Sequence, residues 1–145
     1  MQQVVTRIAK KHKIDLSQPG AHLRINNKPY MPLVIECIGK NLISVAHYYT
    51  QNGDLCADPD VVFLVGCDGE WYPVEWTTPQ MMLMGRVVGG YQRYVEVDAE
   101  NGTWLKADLR GQRDLAIFCN QWADNIKMQG FVEASGQRAA GRGQK

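Results

Sequence analysis

The residue types best suited to chemistry are His47, Glu36 and the carboxylates of the run Gly53-Asp54 to Asp58-Pro59-Asp60. An imidazole titrates near neutral pH and can trade a proton when a carboxylate orients it. Clustered aspartates supply the hard oxygen ligands that divalent cations prefer. If segments 33–38 and 42–50 pair as strands, Glu36 and His47 lie on neighbouring strands, with the aspartate loop beside them. The pattern Asp-x-x-x-Asp-Pro-Asp is not an EF-hand loop, which spreads its ligands over about twelve residues and closes with a glutamate. The chain has no G-x-S-x-G, H-E-x-x-H, P-loop or G-x-G-x-x-G motif. A single histidine among strand aromatics more often serves as a hydrogen-bonded structural residue. No metal or cofactor is therefore expected, and a small metal-dependent or acid/base enzyme centred on His47 ranks behind binding functions.

Two other groupings bear on binding. Tyr48, Tyr49, Trp71, Tyr72, Trp76, Tyr91 and Tyr94 are concentrated in the strand-like middle of the chain. Trp71 and Trp76 differ in parity along one strand, so one of them is expected to face away from the core and serve as an interface anchor. Arg7, Lys10, Lys11 and Lys13 form an acid-free basic run near the N-terminus, and Arg138, Arg142 and Lys145 form another at the C-terminus. Either run could meet phosphates. However, residues 14–133 hold nine basic and fifteen acidic residues, a net charge of −6. Between Lys40 and Arg86 there are six acids (Asp54, Asp58, Asp60, Asp68, Glu70 and Glu75) and no Lys or Arg. Nucleic-acid affinity rests on clustered cations. An acidic body suits a partner with a basic surface better, with Asp54, Asp58, Asp60, Trp71, Tyr72 and Trp76 as the contact residues.

The elements that would position these residues follow from periodicity. Val4, Val5, Ile8 and Ala9 are spaced for a short amphipathic helix. Segments 22–25, 33–38 and 42–50 read as strands, and Asn52-Gly53 is a strong hairpin signal. An acidic loop over 54–60 then leads to the apolar strand 61–65. A turn at Asp68-Gly69 opens the strand 71–76, which Pro73 pushes toward a sheet edge. Met81 to Met84 and Gly89-Gly90 fit no clear element, whereas 91–97 alternates again up to a turn at Asn101-Gly102. From Asp108 the period becomes helical, with Leu115, Phe118, Cys119, Trp122 and Ile126 on one stripe and Gly130 as the stop. The expected fold is therefore α+β: an antiparallel sheet of four to six hairpin-linked strands, covered by the C-terminal helix, with a short N-terminal helix. One domain spans 1–133, followed by a disordered basic tail over 134–145.

The cysteines Cys37, Cys56, Cys67 and Cys119 are separated by 19, 11 and 52 residues, which excludes zinc-finger spacing. They read as reduced thiols in a cytoplasmic protein. No apolar run reaches the roughly 20 residues of a membrane span, and the N-terminus lacks the order of a secretory signal.

Several short motifs occur in a recognisable order. They are Pro29-Tyr30-Met31-Pro32-Leu33-Val34-Ile35-Glu36, Ile43-Ser44-Val45-Ala46-His47-Tyr48-Tyr49, Gln51-Asn52-Gly53-Asp54-Leu55, Asp58-Pro59, Trp71-Tyr72-Pro73, Tyr91-Gln92, and Trp122-Ala123-Asp124-Asn125 through Gln129-Gly130-Phe131. Over roughly 22–131 the chain resembles a family of short proteins of unknown activity carried by bacterial plasmids, conjugative elements and phages. It departs from that pattern at 77–90, where a Met-rich insertion sits. The resemblance implies an accessory gene of a mobile element and carries over no catalytic residue. The leading expectation is a non-enzymatic factor that docks on a host or element protein, for example an inhibitor of a CRISPR effector or restriction enzyme. A nucleic-acid-binding factor using Arg7, Lys10, Lys11 and Lys13 is the alternative.

Overall fold

The N-terminal stripe forms helix α1 (Gln2–Lys11), which buries Val4, Val5, Ile8 and Ala9. The structure, a computed structural model, describes residues 1–138. After α1 the chain runs through β1 (His22–Ile25), β2 (Leu33–Gly39), β3 (Leu42–Gln51), β4 (Asp54–Val65), β5 (Trp71–Leu83) and β6 (Arg86–Arg93). The ribbon β7 (Val95–Asp98) and β8 (Thr103–Ala107) precedes α2 (Leu109–Met128), and β9 (Gly136–Arg138) follows it. The main sheet has the order β6-β5-β4-β3-β2-β1-β9 and is antiparallel throughout. This is the expected α+β architecture, with seven strands in the sheet instead of four to six.

Helices α1 and α2 cover one face of the sheet. There Leu23, Ile25, Leu33, Ile35, Ile43, Val45, Val61 and Phe63 meet Leu115, Cys119, Trp122 and Ile126 of α2. Asp108 caps α2 by accepting from the Gly111 amide at 3.1 Å. Gly130, at φ +84°, ends it, and the Phe131 amide reaches back to the Ile126 carbonyl. Lys11 Nζ then donates to the carbonyls of Val132, Glu133 and Ala134, tying α1 to the segment after α2. On the opposite face the β7–β8 ribbon covers only part of the sheet, burying Val62, Leu64 and Val74 against Val95 and Trp104.

Four local expectations change. Residues 54–60 are strand, because Asn52 and Gly53 both take positive φ in a tight turn that starts pairing at once, Gln51 opposite Asp54 and Thr50 opposite Leu55. Strand β5 is interior, and Pro73 is tolerated because it sits at a bulge against Val62 and Phe63, beyond the last β6 partner at Glu75. That bulge adds one residue between Trp71 and Trp76 and cancels their difference in parity, so both pack toward the helix-covered core. The chain stays ordered past 134, because β9 adds its backbone to the free edge of β1. The remaining residues of the expected tail, 139–145, lie outside the described residues.

Candidate functional site

His47 lies opposite Leu33 at the end of the regular β2–β3 ladder, with its side chain on the core face. The residue is 7% exposed, and its ring packs 5.6 Å from Trp122 and 5.4 Å from Phe131, centroid to centroid. Nδ1 lies 3.1 Å from the Met31 carbonyl and 3.2 Å from that of Pro32, so it must carry the hydrogen. Burial lowers the imidazole pKa below its ordinary value, and the two carbonyls and Asp58 oppose that shift only in part. His47 is therefore neutral at neutral pH, with its lone pair on Nε2.

Glu36 does not join it. The register sets Glu36 opposite Ser44 and Leu33 opposite His47, so the two side chains leave the sheet on opposite faces. Glu36 instead shares the second face with Ser44 and Asp60. Asp60 accepts from Ser44 Oγ at 2.6 Å and from the Tyr48 hydroxyl at 3.4 Å. Burial raises the Asp60 carboxyl, while burial and the Asp60 charge push the Tyr48 phenol up to about 12. The three aspartates also part company. Asp54 is exposed where β4 begins, Asp58 lines a cleft with His47, and Asp60 belongs to the hydroxyl cluster. Among the described residues no group of three or more His, Cys, Asp or Glu could hold a metal ion.

The aromatic anchors are mostly spent on packing. Trp71 packs against Phe63 at 5.9 Å and Trp76 against Phe118 at 5.2 Å, both with tilted rings and on the core side. Tyr72 meets Trp104 edge-on at 5.3 Å and donates its hydroxyl to Asp68. Of the basic run, Lys11 is committed to backbone carbonyls, whereas Arg7 and Lys10 stay exposed.

The most unusual surface is one that none of these residues marks. Pairing of β4 with β5 ends at Asp60 and Thr77, yet β5 and β6 continue together to Leu83 and Arg86. Beyond Thr77 they form a two-stranded arm. Between the pairs Thr78–Gly90 and Met81–Val88, Pro79 and Gln80 oppose Gly89 alone, a bulge that bends the ribbon. Gly89, at φ +83°, is required there, since a Cβ would fall 2.1 Å from the Pro79 carbonyl oxygen. Past the bulge Met81, Met82, Leu83, Met84 and Val87 are all exposed, Met82 at 69% and Met84 at 95%. Successive strand residues point to opposite faces, so the arm is apolar on both. Leu55 and Tyr91 add exposed apolar surface, and β6 is an edge strand. Residues 76–95 contain Arg86 and Arg93 and no acid. The Met-rich departure at 77–90 was the one sequence signal for this arm. Apolar alternation announces a strand and is silent about whether anything covers it.

No helix among the described residues is long and apolar enough to cross a membrane. Residues 3–132 match the family model of a domain of unknown function, DUF6908. No curated protein and no solved structure matches the chain.

Proposed function

The chain belongs to the DUF6908 family, a domain of unknown function, and from that premise we propose a non-enzymatic docking protein that grips a partner protein through its β5–β6 arm. The observation that carries this reading is the exposure of Met81, Met82, Leu83, Met84 and Val87 on a ribbon with no core of its own. A two-stranded hairpin is marginal in water, and exposed apolar patches of this kind mark interaction surfaces. Methionine suits such a role because its unbranched side chain adapts to an irregular groove. Arg86 opens β6 beside the arm's turn with no acid in residues 76–95, whereas Arg93 lies opposite Glu75 in the sheet, so Arg86 favours a partner whose apolar groove carries an acid at its rim. That replaces the basic-surfaced partner expected from the acid-rich segment, whose aspartates are dispersed over separate sites. The resemblance to proteins of plasmids, conjugative elements and phages supports an accessory role for a mobile element. Inhibition of a host defence complex, such as a CRISPR effector or restriction enzyme, is a concrete form of that role.

The test compares tagged wild-type protein with a Met82→Asp/Val87→Asp double variant in pull-downs from host lysate. The two residues face each other across the arm. A stoichiometric partner should elute with wild type and vanish with the variant, while the two proteins melt within about 1 °C of each other, as exposed sites usually allow. Equal capture by both proteins would overturn the arm as the docking element.

A further inference from the structure

Pairing between β4 and β5 stops in mid-strand. The last pair is Asp60 with Thr77; the residue next in line on β4 is Pro59, and Pro79 lies two residues past Thr77 on β5. Proline brings no N–H to a ladder, so the two strands part. Beyond that point β4 is paired with β3 alone, from Ala57 opposite Tyr48 to Asp54 opposite Gln51, and β5 with β6 alone. The outer margin of residues 54–59 is therefore an open strand edge, although β4 is central in the sheet order.

The register tells which groups face the opening. Gln51 and Asp54 flank the two-residue Asn52-Gly53 turn, so they exchange both hydrogen bonds and the pairs alternate from there. Thr50–Leu55 and Tyr48–Ala57 are the pairs that exchange none, and the Tyr48 amide indeed turns away from β4 to donate to the Pro32 carbonyl at 3.3 Å. Leu55 and Ala57 thus aim N–H and C=O away from β3. Among the described residues neither makes a backbone hydrogen bond beyond the sheet ladders. Leu55, Cys56 and Ala57 also carry none of the charges or prolines that guard an edge, and the Leu55 side chain is 63% exposed.

Two features select what pairs there. Asp54 and Asp58 bracket the open stretch at a spacing that shares one face of a strand, and no Lys or Arg lies between Lys40 and Arg86. The apolar arm, with Met81, Met82 and Leu83 exposed, starts beside this edge at the Asp60–Thr77 pair. Resting on the arm as the docking element, we propose that the partner supplies an extended segment that adds antiparallel to β4 as a further strand. It bonds to the backbone of Leu55 and Ala57, sets basic side chains opposite Asp54 and Asp58, and places apolar ones between them. This local basic requirement is separate from the acid that Arg86 favours at the tip of the arm.

The experiment titrates the full chain with the blocked peptide Thr-Val-Lys-Val-Thr-Val-Lys-Val-Thr, whose lysines match the spacing of Asp54 and Asp58, and reads backbone amides by NMR. Saturable shifts and slower exchange are expected at Leu55 and Ala57. N-methylation of the fourth and sixth peptide residues, whose amides face Leu55 and Ala57 in this register, should weaken binding at least about tenfold, the scale of two lost hydrogen bonds. N-methylation of the third and fifth residues, whose amides point away, should weaken it far less. Glutamates in place of the lysines should abolish saturation, and Asp54→Lys, exposed beside the turn, should weaken the lysine peptide about fivefold. No saturable shift, shifts that spare Leu55 and Ala57, equal loss from the two methylation patterns, or equal affinity for the lysine and glutamate peptides would overturn the added strand. Shifts of the same amides on dilution of the free protein, unmatched by the peptide, would make the occupant a second copy and overturn it too. The pull-down with Met82→Asp/Val87→Asp reads the arm separately, so either reading can fail alone.

Discussion

Replacing Gly89 by alanine should release the arm from its set direction while leaving the sheet intact. Two costs add at this position. Gly89 has φ +83°, and the left-handed region costs an L-residue about 1–2 kcal/mol. The new Cβ would also lie 2.1 Å from the Pro79 oxygen and 3.0 Å from its carbonyl carbon. Both are backbone atoms that cannot rotate aside, so the bulge itself must deform, at roughly 1–3 kcal/mol for a strained backbone. The total of about 2–5 kcal/mol falls on a ribbon that is marginal on its own. At about 1.4 kcal/mol per decade, opening of the arm should rise by about thirtyfold or more. Gly85 at the arm's turn is the control: its φ is +79° and nothing lies within 4 Å of a new Cβ, so Gly85→Ala carries the first cost alone. Residue-resolved amide exchange reads the difference. Amides from Met82 to Val87 should exchange much faster in Gly89→Ala than in Gly85→Ala, while those of Val45 and Phe63 in the core keep their protection. Equal arm exchange in the two variants would refute the claim that the Pro79 contact holds the bulge. Loss of core protection would refute the arm's independence of the sheet.

Asp60 should make stability depend on pH. Burial holds its carboxyl above the ordinary 3.8, so between 3.8 and the folded value the folded chain retains a proton that the unfolded chain has lost. Stability from this group therefore falls as pH rises through that window. Asp60→Asn cannot ionise, so its melting temperature relative to wild type should be more favourable at pH 7 than at pH 3; a constant gap would show that the carboxyl is not buried as described. The thiols should separate by reactivity. Cys67 is exposed and Cys56 half-buried, whereas Cys37 and Cys119 are buried, with their thiols pushed up by desolvation, Cys119 to about 12. A thiol reagent at pH 8 should modify Cys67 fast, Cys56 more slowly, and Cys37 and Cys119 only after denaturation, as mass spectrometry would show. Modification of native Cys119 at the rate of Cys67 would contradict the packing of α2.

Elements governed by neighbours a few residues apart were legible in the chain itself. The Val4, Val5, Ile8 and Ala9 stripe, the α2 stripe between Asp108 and Gly130, and the Asn52-Gly53 turn each express a local preference of dihedral, cap or period. The α+β class followed from those elements. The candidate sites were less legible, because each depended on register. Glu36 and His47 are on adjacent strands as expected, but the register places them on opposite faces. Trp71 and Trp76 differ in parity by count, but one bulge beside Pro73 turns both inward.

What the sequence determined alone was therefore the two helices, the strands with clear periodicity, the main turns, and how charge is spread along them, but not the strand over 54–60, the arm at 77–90 or β9. Tertiary structure decided which faces meet, where the ladders slip and which strands end up uncovered. An apolar strand reads the same whether it is central or projects into solvent, as the pairs Ile43–Phe63 and Met82–Val87 show. The difference lies in contacts between residues far apart in the chain. Bulges and turn geometry adjust those contacts by one residue at a time, and each such step moves a side chain from one face of the sheet to the other.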